Sequence, residues 1–520
     1  MINRHVDKVT NLCAGLTITA MVPGITGLLV LLSLLFSCQK ERPDESEETI
    51  LVKIGDQVTI SKNEFIRRAE YTIRPPYAKH NSYIHKKIIL NSLIAEKLFA
   101  LQESDSSDLL KSEGFLAFLK GRREQAMRQW MHHQEATAQV QVDSSELKQF
   151  YPYAGREYQI RYFSFSDSAL FRIASESINS GIFDFGEFYR FVYRNTNIPS
   201  RKVHWHDSED IKILMALFGD DHKVGETLPP IVVDNNDFLI IQIEGWTDDL
   251  AITQKQVQNR FQKISETIAR QKSAQIWNKK VAEIMRGKTI EFVPSTFKEL
   301  NEIFFRLYFV TDEEKKESLK ESIWDLELGE DKPISDHFFD DILDRPFFTI
   351  DQKTWTVNDF RRALMSHPLV FRKRRMTSGE FPEQFRLAIV DLIRDHYVTQ
   401  VAYEKKYDQV SVVKRNEQMW RDAYLALHHR NKYLRAIGEN KHFEKEYARL
   451  LNEHLNAYFI TLQQKYYKRV QLNFEEFENI HLSGIDLSVK QVNQPYQHVV
   501  PRFPLLTTEN NIAYITHMGD

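Results

Sequence analysis

The feature that most limits what this chain can become is that its plan is written twice. Residues 52–69, VKIGDQVTISKNEFIRRA, and residues 348–363, FTIDQKTWTVNDFRRA, each carry alternating apolar positions into a turn, back out, and on into a helix. The helix that follows in the first half, ILNSLIAEKL at 89–98, has its counterpart in AIVDLIRDHY at 388–397. A third echo closes each half, IEFVPSTF at 290–297 and VQLNFEEF at 470–477, each after a long helical stretch. An amphipathic helix must bury its apolar stripe against a neighbour, so the repeat reads as two related helical lobes. Only the first half carries an insert.

Within the first copy, Gly55 and Asp56 mark the hairpin turn, and Ser61 with Glu64 three residues on has the spacing of a capping box. That helix is expected to turn Phe65 and Ala69 inward and Arg67 and Arg68 outward. Leu90, Ile94, Leu98 and Leu101 fall at helical spacing, and further helix is expected from Phe115 to about Ala136. The insert differs in texture. Residues 158–165 alternate like a strand, 168–178 and 185–193 read as helices, and 228–233 and 238–243 read as strands joined by the turn DNND at 234–237. Helix returns over 253–285 and a strand over 288–292. The fold class is α+β.

The N-terminus carries Arg4 and Lys8, then an apolar run ending GLLVLLSLLF at 27–36. That core is too short to span a bilayer comfortably and reads as an export signal. Its last residues, Leu35, Phe36, Ser37 and Cys38, resemble the bacterial lipobox, which implies cleavage before Cys38 and lipid on its sulfur. Of the two cysteines, Cys13 would be removed, so no disulfide can form within one mature chain. Residues 39–48, QKERPDESEE, have no apolar residue and read as a disordered stalk. Gln39 is not Asp, and in a Gram-negative cell the usual sorting rule would then direct the protein to the outer membrane.

Losing 37 of 520 residues leaves 483, room for about three domains at roughly 150 residues each. A net charge of −3 argues against a nucleic-acid partner, which needs a basic field. Gly287, Lys288 and Thr289 suggest a phosphate loop, but the glycine needed five positions earlier is Ala282, and the order helix-to-strand is wrong. His204 and His206, next to Asp207, would share a strand face, yet no further ligand is identifiable from spacing. They and His132-His133 read as surface histidines, and no metal or cofactor is expected. The basic cluster at 372–375 and the acidic stretch at 312–331 read as solvated faces. No Ser/His/Asp or Cys/His arrangement stands out.

Residues 52–292 resemble the SurA, PpiD and PrsA group of exported foldases, in which a helical chaperone lobe encloses a parvulin-type peptidyl-prolyl isomerase domain. Residues 53–65 fit the pattern opening that lobe, and NSLIAEKL at 91–98 is similar to its "L-I-x-x-K-L" helix. In the insert, YQIRYFSF at 158–165 sits where parvulins have their first strand. GIFDFGEF at 181–188 looks like their "G-x-x-F-x-E-L" helix start, VHW at 203–205 stands for a Leu-Gly-Trp segment, and VGETLPPIV at 224–232 resembles their "V-G-E-x-S-x-P-V" turn. Parvulins carry one histidine in the first strand and one in the last. Tyr162 and Leu239 occupy those positions. Isomerisation faces a barrier of ~20 kcal/mol, and a leucine offers no hydrogen bond with which to shape a site that lowers it.

The resemblance implies six regions: signal peptide 1–37, disordered tether 38–49, a helical lobe from 50–150 with 253–300, a degenerate parvulin-like domain 151–250, a connecting helical segment 301–345, and a second lobe 346–520. It implies a lipid-anchored envelope chaperone for unfolded exported proteins, outer-membrane proteins among them, with Tyr162, Phe185, Phe188, Trp205, Met215 and Phe218 as peptide contacts. An active isomerase with a substituted site and a binding subunit of an envelope complex stand as alternatives.

Overall fold

A computed structural model describes residues 48–518, apart from 57, 104–106, 166, 183, 195–196, 208, 234–237, 310–340, 374–375, 440–442, 484–495 and 497–498. The expected signal, Cys38, nearly all of the stalk, the 234–237 turn and the acidic 312–331 stretch lie outside the described residues. The fold is mixed α+β, mainly helical, with three small sheets among the described residues. Among the described residues, no helix is long and apolar enough to cross a membrane.

The opening hairpin forms as its pattern predicts, β1 over Ile50–Ile54 and β2 over Val58–Ser61, with Gly55 supplying the left-handed φ of 60° at the turn. Helices α1 (Lys62–Glu70) and α2 (Tyr83–Ala100) follow, then α3 (Asp108–Lys111) and the long α4 (Glu113–Glu135). Ser61 caps α1 through the Glu64 N–H, but Glu64 does not return the bond. Its carboxylate reaches Lys97 on α2 at 2.9 Å instead. The outward assignment of Arg68 is also corrected: the side chain is fully buried and forks onto Glu96 at 2.7 and 2.6 Å. The apolar stripe of α1 is narrower than helical spacing suggested because a paired charge occupies one edge.

The insert holds α5 (Ser144–Phe150), β3 (Arg156–Phe165), α6 (Ser168–Asn179), α7 (Phe185–Tyr193), β4 (Ser200–His204), α8 (Ile211–Phe218), β5 (Ile231–Val232) and β6 (Phe238–Asp248). They make one antiparallel sheet ordered β4-β3-β6-β5. The strand expected at 228–233 shrinks to two residues; Thr227 adds an isolated bridge to Gln242. Chain returns through α9 (Gln254–Ile284), β7 (Glu291–Phe292) and α10 (Pro294–Tyr308). The second half opens with β8 (Pro346–Ile350) and β9 (Lys353–Thr356), joined by Asp351 and Gln352, both left-handed as a two-residue hairpin requires. Then come α11 (Val357–Ser366), α12 (Phe381–Glu404), α13 (Ser411–Ala436), α14 (Phe443–Leu450), a π-helical turn, α15 (Asn456–Lys465), β10 (Val470–Leu472), α16 (Phe474–Glu478) and β11 (Thr516–His517).

The repeat is present, but its halves are exchanged. The closing strand of the second half, β10, pairs with the opening hairpin of the first, Val52 opposite Leu472. The closing strand of the first half, β7, pairs with the opening hairpin of the second, Phe292 opposite Phe348. The helices follow suit: α2 packs on α13, and α12 packs on α4. Two composite lobes result. One core joins Leu51, Phe65, Ile89 and Phe99 to Leu455, Phe459, Leu472 and Phe477. The other joins Leu300 and Phe304 to Phe347, Phe360, Phe385 and Ile389. This corrects the boundaries expected from sequence, since 253–300 does not complete the lobe begun at 50, and 346–520 is not a lobe by itself. Similar hairpins accept similar closing strands, so sequence likeness leaves the choice of partner open.

Candidate functional site

A cleft of about 650 Å³ lies where α1, α4, α13 and the segment around Tyr496 to Val500 meet. Helix α4 forms its floor. It crosses from one lobe to the other and packs on α11, α12 and α13, approaching α11 closely enough that a Cβ on Gly121 would lie 1.9 Å from the Ser366 carbonyl oxygen. Apolar walls come from Trp130 on α4, Val412 and Met419 on α13, and Tyr496, Val499 and Val500 in the segment beyond α16. Between them stand the amides Asn63, Gln129 and Asn416, which can meet a peptide backbone, with Arg67, Arg415, Glu48 and Glu64 as the charged part of the lining.

Two buried charge networks fix this geometry. On one side Lys97 lies between Glu64 at 2.9 Å and Asp422 at 3.0 Å, tying α2 to α1 and α13. Burial pushes the Glu64 carboxyl up against the pull of Lys97, while Glu64 and Asp422 hold the Lys97 proton in place despite its own burial. On the other side, Asp395 of α12 receives His367 at 3.0 Å and Arg394 at 2.8 Å, with Arg128 at 3.6 Å. Burial opposes ionisation there, but the His367 hydrogen bond and the two arginines outweigh it and bring the Asp395 carboxyl down to about 2. Tyr496 faces this cluster, its hydroxyl 3.4 Å from Asp395, so one residue joins the network to the cleft wall. In the wall, burial and the neighbouring His133 lower His132 to about 4. It is neutral at physiological pH and packs edge-on against Trp277.

The end of the tether enters at this cleft. Glu48 accepts from Ser61 Oγ at 2.7 Å and pairs with Arg415 at 2.9 Å, and the Lys62 N–H donates to the Thr49 carbonyl. Residues 48 and 49, assigned to a disordered stalk by composition, are therefore docked.

The insert places the other expected site residues on its sheet. Tyr162 lies opposite Ile241, and Leu239 opposite Ser164, so Tyr162 and Leu239 are diagonal neighbours on one face. Trp205, Met215 and Phe218 pack on that face, Trp205 and Phe218 edge-on with centroids 5.3 Å apart. Phe185 and Phe188 lie on the opposite face, against Phe163. Phe185, Phe188, Trp205 and Phe218 are each no more than 3% exposed. As peptide contacts these four are corrected to core residues; aromatic rings flanking a four-stranded sheet are what its two faces bury. Tyr162 and Met215 stay partly accessible. The Tyr162 ring lies 4.8 Å from the Arg201 guanidinium, which is itself clamped by Glu209 at 2.6 and 2.9 Å. Leu239 brings a buried hydrocarbon to the other position.

No protein-family model matches this chain, and no curated protein matches it.

Sequence reasoning missed the cleft. Trp130, Met419 and Val500 come from segments far apart in the chain and meet only through the exchange. The basic cluster behaves as its composition suggests where it is described, Arg372 pairing with Asp391 and Lys373 with Glu380.

Proposed function

We propose that this protein is a lipid-anchored chaperone of the cell envelope that holds unfolded exported polypeptides, outer-membrane proteins among them, in the cleft between α1, α4 and α13. It needs no nucleotide or other cofactor for this. The insert is read as a parvulin-like domain that has lost most of its isomerase activity. The observation that carries the proposal is the cleft itself: about 650 Å³ walled by Trp130, Met419 and Val500 and interleaved with amide side chains. Such a surface takes extended chain through apolar side-chain contacts and backbone hydrogen bonds without selecting one sequence. The insert's helix and strand order and the shared face of Tyr162 and Leu239 support the parvulin-like reading, and the leucine supports loss of catalysis. If Cys38 carries lipid, the ten residues 38–47 set the cleft within ~35 Å of the membrane at full extension.

Aggregation of a β-barrel protein diluted from urea tests the holding activity. The wild-type chain should suppress it at near-equimolar ratio, and the double variant Trp130→Ala/Val499→Glu should weaken client binding by tenfold or more at unchanged circular dichroism. Equal protection by both would refute the cleft assignment. A protease-coupled X-Pro assay should show no acceleration, and rates matching active parvulins would favour the enzyme instead. Incorporation of a palmitate analogue, abolished in Cys38→Ala, checks the anchor.

A further inference from the structure

We propose that the turn after β4 is a binding site for a divalent transition-metal ion, with His204, His206 and Asp207 as its protein ligands. The sequence places two histidines two apart and suggests a shared strand face. The structure differs in a way that favours a ligand set. The strand ends at His204, and the chain turns back on itself: the Asp207 N–H donates to the His204 carbonyl at 3.1 Å, and Asp207 Oδ2 accepts from the His204 N–H at 2.7 Å. This closure, not strand geometry, brings the His206 ring to 4.9 Å from the His204 ring and places one donor atom of each of the three residues within 4.8 Å of the others.

The decisive detail is on the neighbouring strand. Glu157 of β3 is the cross-strand partner of His204, and its Oε2 lies 2.6 Å from His204 Nε2. A carboxylate only accepts, so the imidazole proton sits on Nε2. Lys202 pairs with the same carboxylate and keeps it in place. With Nε2 held by Glu157, Nδ1 is the ring nitrogen turned toward Asp207 Oδ2, at 3.5 Å, a spacing that two ligands of one cation can share. A carboxylate holding the far nitrogen of a ligating histidine is the outer-shell arrangement that orients such ligands and raises their basicity.

Imidazole nitrogen and carboxylate oxygen suit Zn²⁺, Co²⁺, Ni²⁺ or Cu²⁺ and not the hard, all-oxygen cations. Tetrahedral ligation at ~2.0–2.2 Å brings donors to about 3.3 Å from one another. His206 is exposed and His204 and Asp207 are about one-third exposed, so side-chain rotation alone closes the gap. Three protein ligands leave one position open. His204 and His206 line a groove of about 220 Å³ shared with Gln256 and Asn259 of α9.

Competition between the full chain and a chromogenic chelator for Zn²⁺, with Co²⁺ absorption as a second readout, tests this. The wild type should bind one more equivalent than His206→Ala, whose exposed position leaves the fold intact by circular dichroism. Glu157→Gln should retain that equivalent with affinity reduced tenfold or more. His132→Ala/His133→Ala should leave it unchanged. Identical titrations for wild type and His206→Ala, or an equivalent lost only with His132 and His133, would overturn the assignment. Neither result depends on chaperone activity.

Discussion

Gly121→Ala should destabilise the protein even though the same change in an ordinary helix interior would stabilise it. Alanine gains about 1 kcal/mol over glycine from helix propensity. At this position the new Cβ would lie 1.9 Å from the carbonyl oxygen of Ser366 and 2.8 Å from its carbonyl carbon, where real Cβ atoms stay beyond 3.0 Å. The α4–α11 spacing must therefore open by at least 1.1 Å (3.0 − 1.9). The obstacle is backbone, which cannot rotate away. A gap of that size forfeits a quarter to half or more of the dispersion energy of the contacts it opens, and overpacking of this kind typically costs about 1–3 kcal/mol. With several α4–α11 contacts opened together, the upper end applies, and the net loss after the propensity gain is about 2 kcal/mol. For a cooperative unit of roughly 150–250 residues that lowers Tm by ~4–8 °C. Thermal unfolding followed at 222 nm measures it, with Gly379→Ala, whose Cβ meets nothing within 4 Å, as the neutral control. A Gly121→Ala protein as stable as the wild type would show that α4 does not pass this close to α11.

The exchange itself can be trapped: Lys53→Cys with Gln471→Cys, cross-strand partners, should form an internal disulfide under mild oxidation, seen as a shift on non-reducing gels, whereas Lys53→Cys with Glu291→Cys should not. Unexchanged lobes would reverse the two results. For Asp395, the folded-state value of about 2 lies below the ordinary 3.8. Its contribution is thus present above pH 4–5 and lost as pH falls toward 2, on the order of 2 kcal/mol. Urea midpoints between pH 6 and pH 3 should fall less steeply in Asp395→Asn, which is itself destabilised at pH 7 because Arg128 loses its anion and Arg394 keeps only Asp391. Parallel pH profiles would refute that role.

Much of this architecture was legible before any coordinates. The hairpin-to-helix switch at Ser61 follows from alternation giving way to helical spacing after a capping hydroxyl, and that cap is present; the structure adds the matching cap at Thr356. Helix α8 was missed, although Asp210 before an apolar run at 211–218 is a capping signal. Spacing alone turns Arg68 outward because it reports polarity, whereas its burial depends on Glu96 on another helix. The aromatic residues assigned to client contact marked real packing faces, but a single sequence does not distinguish a ring that fills a core from one that lines a cleft. The metal-ligand turn needed the Asp207 closure and Glu157 across the sheet, neither of which spacing alone supplies.

A ribosome delivers residue 52 long before residue 472, 420 positions later (472 − 52). Closing so long a loop adds only ~3 kcal/mol over one of a dozen residues, since each doubling adds about 0.6. The delay is the larger effect: the first hairpin waits for its third strand until nearly the whole polypeptide exists, and the second hairpin keeps the strand the first would otherwise have taken. Once assembled, the halves are interlocked, so one cut within 310–340 would leave the pieces joined until a denaturant freed them.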